Sequence, residues 1–461
     1  MVSVAANSGS GDRYVRRVAG VGALAGLLFG YGTGVIAGAL LFIRERFDLS
    51  PLGQGVVVSA MLLGAAGGAA VAGPLGDRFG RRISVTVAAI VFVVGALACA
   101  LAPSTEVLVV GRILAGVGVG MASTSAPVYI SEVAPERLRG ALLTMFQLAV
   151  TSGILASFLV ALALEPGGHW RWMFALSAIP GVVLAVALRF VPFSPRWLVE
   201  RGRVDEAYAV LVHLRGPEAD VEVEISGIRA AADHPTASWR ELLSPGIRIA
   251  LIVGVGLAVL QQATGINAVL YYAPTIFQSA GLESESSAIL AGAGLGVVNV
   301  VFTIVAIRYI DRLGRRTLLL AGSAGMVLGL FALGLAFALP DPGSGTVAVI
   351  AIASTAVYLA AFAVSLGPIV WVLNAEIYPL AVRGRANAVA SLSHWIANFV
   401  VVLTFLPLID LIGSAAMYWI YAGIALAGIW FIAALVPETR NRSLEAIEEH
   451  WRRRTAAATS P

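Results

Sequence analysis

The sequence predicts an all-α polytopic membrane protein, with twelve membrane-crossing helices in two pseudo-symmetric six-helix halves and short cytoplasmic helices between the halves. Three observations predict it: an excess of apolar residues, a regular succession of apolar segments about as long as a bilayer is thick, and three motif pairs that recur in the same order. Of 461 residues, 58% are hydrophobic and only 13% are charged, with a mean hydropathy of +0.87. Soluble domains are about 45–50% apolar and about 25% charged. The chain therefore has too little polar surface to sit in water, and the soluble, disordered and fibrous classes are excluded.

A helix needs about 20 mostly apolar residues to cross a bilayer. Twelve segments qualify: 18–43, 53–75, 83–102, 107–130, 141–164, 170–191, 247–280, 286–310, 317–339, 346–375, 385–410 and 414–436. Several contain Gly or Pro, which membrane helices tolerate when neighbours satisfy the freed backbone groups. The apolar runs are continuous and not alternating, which argues against a β-barrel.

All 31 cationic residues are Arg, and 27 of them fall in the termini or in loops on the termini's side. Only Arg44, Arg46, Arg112 and Arg171 lie elsewhere. By the positive-inside rule both termini are cytoplasmic, in an inner (plasma) membrane. The net charge of +4 is thus an orientation signal and no argument for nucleic acid. Residues 1–17 are polar and precede an apolar helix without a cleavage-type sequence, so they read as a cytoplasmic tail and not a signal peptide. The remaining divisions are a first half at 18–193, a linker with short amphipathic helices at 194–246, a second half at 247–436 and a cytoplasmic tail at 437–461. The single cysteine, Cys99, allows no intrachain disulfide or thiolate metal site.

The repeat fixes the two-half architecture. Gly76-Asp77-Arg78-Phe79-Gly80-Arg81-Arg82 follows the second span, and Asp311-Arg312-Leu313-Gly314-Arg315-Arg316 follows the eighth, 234 positions on. Glu132 with Arg139-Gly140 follows the fourth span, and Glu376 with Arg383-Gly384 follows the tenth. Pro192-Phe193-Ser194-Pro195-Arg196 follows the sixth, and Pro437-Glu438-Thr439-Arg440 the twelfth. Each Arg-rich turn alone would be a topogenic anchor. Paired with acids they form two cytoplasmic latches, Asp77, Arg81, Glu132 and Arg139 in one half and Asp311, Arg315, Glu376 and Arg383 in the other, whose charge-assisted bonds could bias alternating access.

The Asp-Arg-x-Gly-Arg-Arg pair resembles the signature of the major facilitator superfamily. Gly26-Leu27-Leu28-Phe29-Gly30-Tyr31, Arg112-Ile113-Leu114-Ala115-Gly116, Ser194-Pro195-Arg196-Trp197, Gln261-Gln262 with Gly265-Ile266-Asn267, and Pro437-Glu438-Thr439 look like its sugar porter family, over residues 18–447. Two motifs depart from the family pattern: Phe193 replaces the usual Glu, and Arg440-Asn441 the usual Lys-Gly. The resemblance implies the major facilitator fold and transport of a monosaccharide, hexose or pentose.

A sugar needs amides that both donate and accept, and an aromatic plane against its ring. Gln147, Gln261, Gln262, Asn267, Asn299 and Asn398 are amides within spans. A lone membrane amide is ordinarily helix–helix glue, but the resemblance makes this set sugar-binding. It also makes Trp371 the stacking residue, Trp395 a pocket wall, and Phe29, Phe362 and Gly367 pocket positions. Tyr271 and Tyr272 resemble an outer gate. Gly265 and Pro274 interrupt the seventh span, consistent with a broken, mobile helix. Trp170 and Trp172 read as membrane-interface anchors, as does Trp451.

Proton-coupled members of the family carry an Asp after the Gly-Tyr of the first span, partnered by the Arg of the fourth. Here that position is Gly32, while Arg112 is retained. A second acid of one coupled member aligns with Ser177. His394, where relatives usually carry an amide, is the one candidate left that could titrate, though it reads first as a pocket contact. The sequence therefore points to a facilitative uniporter resembling mammalian glucose facilitators. The alternatives are a proton symporter using His394 or another group and, in another class, a non-transporting membrane sugar sensor, against which the short C-terminal tail argues. No nucleophile–base set, metal cluster or phosphate-cradling loop suggests an enzyme. The expected partners are a sugar, the lipid bilayer and, in the coupled case, protons; no cofactor, metal or nucleic acid is expected, and the chain should act as a monomer.

Overall fold

A computed structural model describes residues 8–216, 220–232, 239–340, 344–379 and 382–440. Residues 1–7 of the amino-terminal tail, and the tail from 441 onward with Trp451, lie outside the described residues. Among the described residues the chain is helical, without strands. The helices are α1 Ser8–Arg46, α2 Pro51–Phe79, α3 Arg81–Ala100, α4 Thr105–Val133, α5 Glu136–Leu164, α6 Trp170–Ala187, α7 Pro195–Glu200, α8 Val204–Arg215 and α9 Val221–Ala232. They continue as α10 Pro245–Ala263, α11 Ile266–Tyr271, α12 Ala273–Ser279, α13 Glu285–Leu313, α14 Arg315–Phe337, α15 Gly345–Ala363, α16 Leu366–Glu376, α17 Arg383–Ile412 and α18 Ser414–Leu435. Twelve spans among them are long and apolar enough to cross a bilayer. The chain is a multi-pass membrane protein.

Several boundaries differ from those expected. Helix α1 starts at Ser8, ten residues before 18, so the tail 1–17 is helical in its second part. Hydropathy marks the lipid-crossing stretch, whereas the backbone hydrogen bonds of a helix run on past it. At about 1.5 Å per residue, the 29 residues of α2, α4, α5 and α13 exceed the ~30 Å apolar core, so their polar ends project. The seventh span is three helices. Gly265 takes φ +85° and ends the first break, and the second falls at Tyr272, with Pro274 opening α12 and not itself breaking the chain. The tenth span, expected continuous over 346–375, is broken at Ser365 (φ −127°, ψ −102°).

The repeat is visible in the backbone. Gly80 (φ +93°, ψ 149°) joins α2 to α3, and Gly314 (φ +88°, ψ 154°) joins α13 to α14. This region of backbone space is essentially closed to residues with a Cβ, which explains the glycine between Asp-Arg and Arg-Arg in both motifs.

Contacts divide the chain into two compact units that do not coincide with the two halves of the sequence. Unit 1 holds residues 1–32, 64–154 and 174–235; unit 2 holds 33–63, 155–173 and 236–461. The second half thus takes with it the ends of first-half helices that face away from the Arg-rich loops. The contacts are specific: Arg44 Nη2 donates to Gln278 Oε1 (3.0 Å), Ser286 donates to Glu165 Oε2 (2.5 Å), and Phe47 meets the edge of Trp170 (5.9 Å). Trp170 is consequently buried, at 4% exposure, and is a packing residue instead of an interface anchor, whereas Trp172 is exposed.

In unit 1 the linker folds on itself. Ser194 caps α7, its hydroxyl accepting from Trp197 N (3.3 Å) with Pro195 at the first helical position. Trp197, Leu198, Ala207, Leu211, Val221 and Ile225 form a small apolar core that holds α7, α8 and α9 together.

Candidate functional site

Unit 2 gathers most of the expected sugar-binding residues at the paired helix breaks. Gln261 and Gln262 lie in the last turn of α10 and are each 2% exposed. Gln261 Nε2 donates to the carbonyls of Leu366 (2.7 Å) and Gly367 (3.1 Å), at the start of α16, and so ties one break to the other. Asn267 Nδ2 donates to Gln262 Oε1 (2.8 Å), and Gln262 Nε2 lies 3.3 Å from His394 Nδ1.

His394 is held between two indoles, tilted beneath Trp371 (4.9 Å between ring centres) and edge-on to Trp395 (5.2 Å, 89°). Trp395 is 2% exposed but Trp371 is 42% exposed, so one indole is a wall and the other offers a face. Phe362 packs beside Gly367. Asn398, one turn along α17 from His394, is 1% exposed, and its Oδ1 has no hydrogen-bond partner among the described residues. Asn299 is buried in α13 and makes no hydrogen bond to the cluster among the described residues. Phe29 and Gln147 belong to unit 1.

Two tyrosines that sequence reasoning missed hold the first break. Tyr358 donates to the Thr264 carbonyl (2.8 Å), and the Tyr421 ring lies against Gly265 where a Cβ would be. Neither tyrosine lies in a recognised motif, and in the sequence only the glycine at 265 marks the place that they support. Tyr272 is fully buried, stacks on Phe405 (5.3 Å) and donates to the Val402 carbonyl (3.3 Å); Tyr271 is also buried.

Each unit holds one of the two ion-pair clusters that the sequence expects as latches. In unit 1 Arg81 pairs with Asp77 (2.7 Å) and Glu132 (3.4 Å), while Arg201 and the Trp197 indole donate to the Asp77 carbonyl (2.9 and 3.0 Å). Arg139 is exposed and takes no part in that latch. In unit 2 Arg315 pairs with Glu376 (3.1 Å), whose other oxygen accepts from Thr439 (2.5 Å). The side chain of Asp311 is outside what the structure describes. Arg383 donates to the Tyr378 carbonyl (3.1 and 3.2 Å) instead of an acid.

Glu438, which sequence reasoning left out of the latch, accepts from the backbone N–H groups of Arg315 (3.0 Å) and Arg316 (3.1 Å), capping α14. Partial burial pushes its carboxyl up, but donation from Arg440, Arg315, Arg316 and Thr439 outweighs this and holds it below the usual range. The corresponding position in unit 1 is Phe193, which stacks on Trp197 (5.2 Å) beneath the Arg82 guanidinium (4.9 Å). A cation–π contact replaces the carboxylate cap there.

In the interior of unit 1, Arg112 is 2% exposed and Nη1 donates to the Gly32 carbonyl (3.2 Å). Ser177 is buried and donates to the Phe174 carbonyl (2.6 Å).

Twelve bilayer-length spans, ion-pair clusters beside two matched glycine turns and an amide cluster at two helix breaks are the features with which the comparisons agree. Residues 18–451 match the family described as "Sugar (and other) transporter". The D-xylose transporter of Levilactobacillus brevis is 43% identical over 94% of this chain and 95% of its own. The galactose-proton symporter of Escherichia coli K12 is 40% identical over 93% and 92%. The inward-open, partially occluded structure of the E. coli xylose transporter XylE superposes with a TM-score of 0.83 at 33% identity, covering 94% of this chain and 100% of that one. The chain belongs to the sugar porter family of the major facilitator superfamily, and it is a sugar transporter.

Proposed function

We propose that the chain carries a hexose or pentose across the membrane by alternating access, as a facilitative uniporter. The observation that carries the sugar site is the linked set Gln261, Gln262, Asn267 and His394 beneath the open face of Trp371. Such a set supplies donors and acceptors at fixed positions next to an aromatic plane, as a polyhydroxylated ring requires. The orphan Asn398 Oδ1 supports the same reading: a buried acceptor without a donor costs about 1–3 kcal/mol, and a sugar hydroxyl would satisfy it. The relatives named for xylose, glucose and galactose fit this substrate class.

The uniport reading rests on Gly32, which puts a main-chain carbonyl against Arg112 where the coupled members of the family carry an Asp. A second reading, proton symport, is favoured by relatives named proton symporters; it would have to use His394 or another group. The latches sit on the cytoplasmic side in this account. On the same reading the bonds of Arg44 with Gln278 and of Ser286 with Glu165, both within unit 2, belong to the opposite side. A binding panel of monosaccharides on the parent, Gln262→Ala and Trp371→Ala tests the site. Loss of binding in both variants is expected, and equal binding by all three would remove the pocket.

A further inference from the structure

We propose that unit 1 contains a second ligand site, separate from the sugar cluster, that takes an organic phosphate. It is a cleft of about 570 Å³ between the end of α4, the first turn of α5 and the linker helices α7, α8 and α9. That volume suits a small molecule such as a phosphate monoester of a monosaccharide. Its apolar walls are formed by Ala134, Pro135, Gly227 and Ile228, and three guanidinium groups face it: Arg139, Arg196 and Arg215.

The three arginines differ in what they have left to give. Arg215 is fully engaged: Nε and Nη2 grip the Glu224 carboxylate (3.0 and 2.8 Å), and Nη1 donates to the Val133 carbonyl (2.8 Å). It fixes the wall and neutralises the one acid that lines the cleft. Arg196 uses only Nε, on Glu200 (3.0 Å), which leaves its two terminal nitrogens for another acceptor. Arg139 is exposed, and its guanidinium makes no side-chain hydrogen bond or ion pair among the described residues, its backbone N–H donating to the Pro135 carbonyl (3.0 Å). A fork of guanidinium donors matches the terminal oxygens of a phosphate, which accept several bonds at once. A phosphate monoester, with a charge of about −1.5 to −2 at neutral pH, answers three guanidinium groups that line the cleft beside a single lining carboxylate. A neutral sugar finds here neither an aromatic plane nor a carboxamide.

The cleft is mechanically close to the latch. Val133, whose carbonyl Arg215 holds, follows Glu132, the partner of Arg81. On the proposed transport reading, an occupant would stiffen the latched arrangement and slow cycling. Binding itself does not depend on that reading. Phosphoryl transfer to the carried sugar, once inside, is the class of reaction that would supply such a ligand.

The test is calorimetric titration of the full-length protein with glucose 6-phosphate, inorganic phosphate and glucose, and a parallel thermal-shift series in phosphatidylcholine vesicles with and without phosphatidic acid. Glucose 6-phosphate should bind saturably, with inorganic phosphate competing, and Arg196→Gln should weaken it at least tenfold. Gly227→Leu keeps every charge, points into open space and suits a helix; it should block the ligand while leaving sugar binding and phosphate-free uptake intact. Stabilisation by phosphatidic acid alone, lost in both variants, would assign the same site to a lipid headgroup. No binding of either source, or binding indifferent to both substitutions, would overturn the proposal. Loss of sugar binding in the parent protein would instead count against the transport reading.

Discussion

The guanidinium of Arg112 donates to the main-chain carbonyl of Gly32 across 3.2 Å in the interior of unit 1. A carbonyl offers a dipole but cannot take up or release a proton, whereas an acid there could, with the arginine setting its proton affinity. Gly32→Asp should therefore create acid-stimulated, gradient-driven accumulation, read as uptake against a concentration gradient in vesicles. Unchanged, non-accumulating uptake by a folded variant would show that the Arg112 neighbourhood is not where coupling is decided.

Gln261 joins the broken seventh and tenth spans through Leu366 and Gly367. Removing its amide deletes both bonds, each worth about 0.5–1.5 kcal/mol net. Gln261→Ala should lower the melting temperature and weaken sugar binding at least tenfold, followed by the fluorescence of Trp371.

In the first latch the two acids are unequal. Asp77 is 69% exposed on its side chain and Glu132 only 9%. Exposed ion pairs contribute about 0–1 kcal/mol, and removing the partner of a more buried charge costs more. Glu132→Gln should change the rate of conformational cycling more than Asp77→Asn, measured by distance probes across the latch. If neither variant alters that rate, the pair is no latch.

The second latch should weaken in acid. The Glu438 carboxyl is depressed below its ordinary value of 4.5 by backbone donation from Arg440, Arg315, Arg316 and Thr439, which overcomes partial burial. Its contribution is therefore fully present above about pH 4.5 and is lost as pH falls through the depressed value. Glu438→Gln should be less stable than the parent at neutral pH, and the gap should narrow below pH 4.5 in paired melting curves.

Much of this was legible in the sequence because its causes are local. Twenty apolar residues dictate a span, arginine placement marks a side, and the glycine at 80 and 314 is required by backbone geometry that no other residue adopts comfortably. The Gln261–Gln262–Asn267 spacing placed three amides at one break for the same reason. What could not be read depends on contacts between distant segments. The break at Ser365 has no glycine or proline at that position, and it is sustained by Gln261, about a hundred residues away. Trp170 looks like an interface anchor until Phe47 covers it. Glu438 looks like one residue of a turn until α14 places its first N–H groups over the carboxylate.

The claim that matters most is transport without a proton, and sugar uptake into proteoliposomes with and without an imposed pH gradient tests it most directly. The account predicts equilibration to the same final internal concentration in both conditions, with equal exchange rates at a given pH. Accumulation of sugar above the external concentration, driven by an inward proton gradient and abolished by a protonophore, would contradict it.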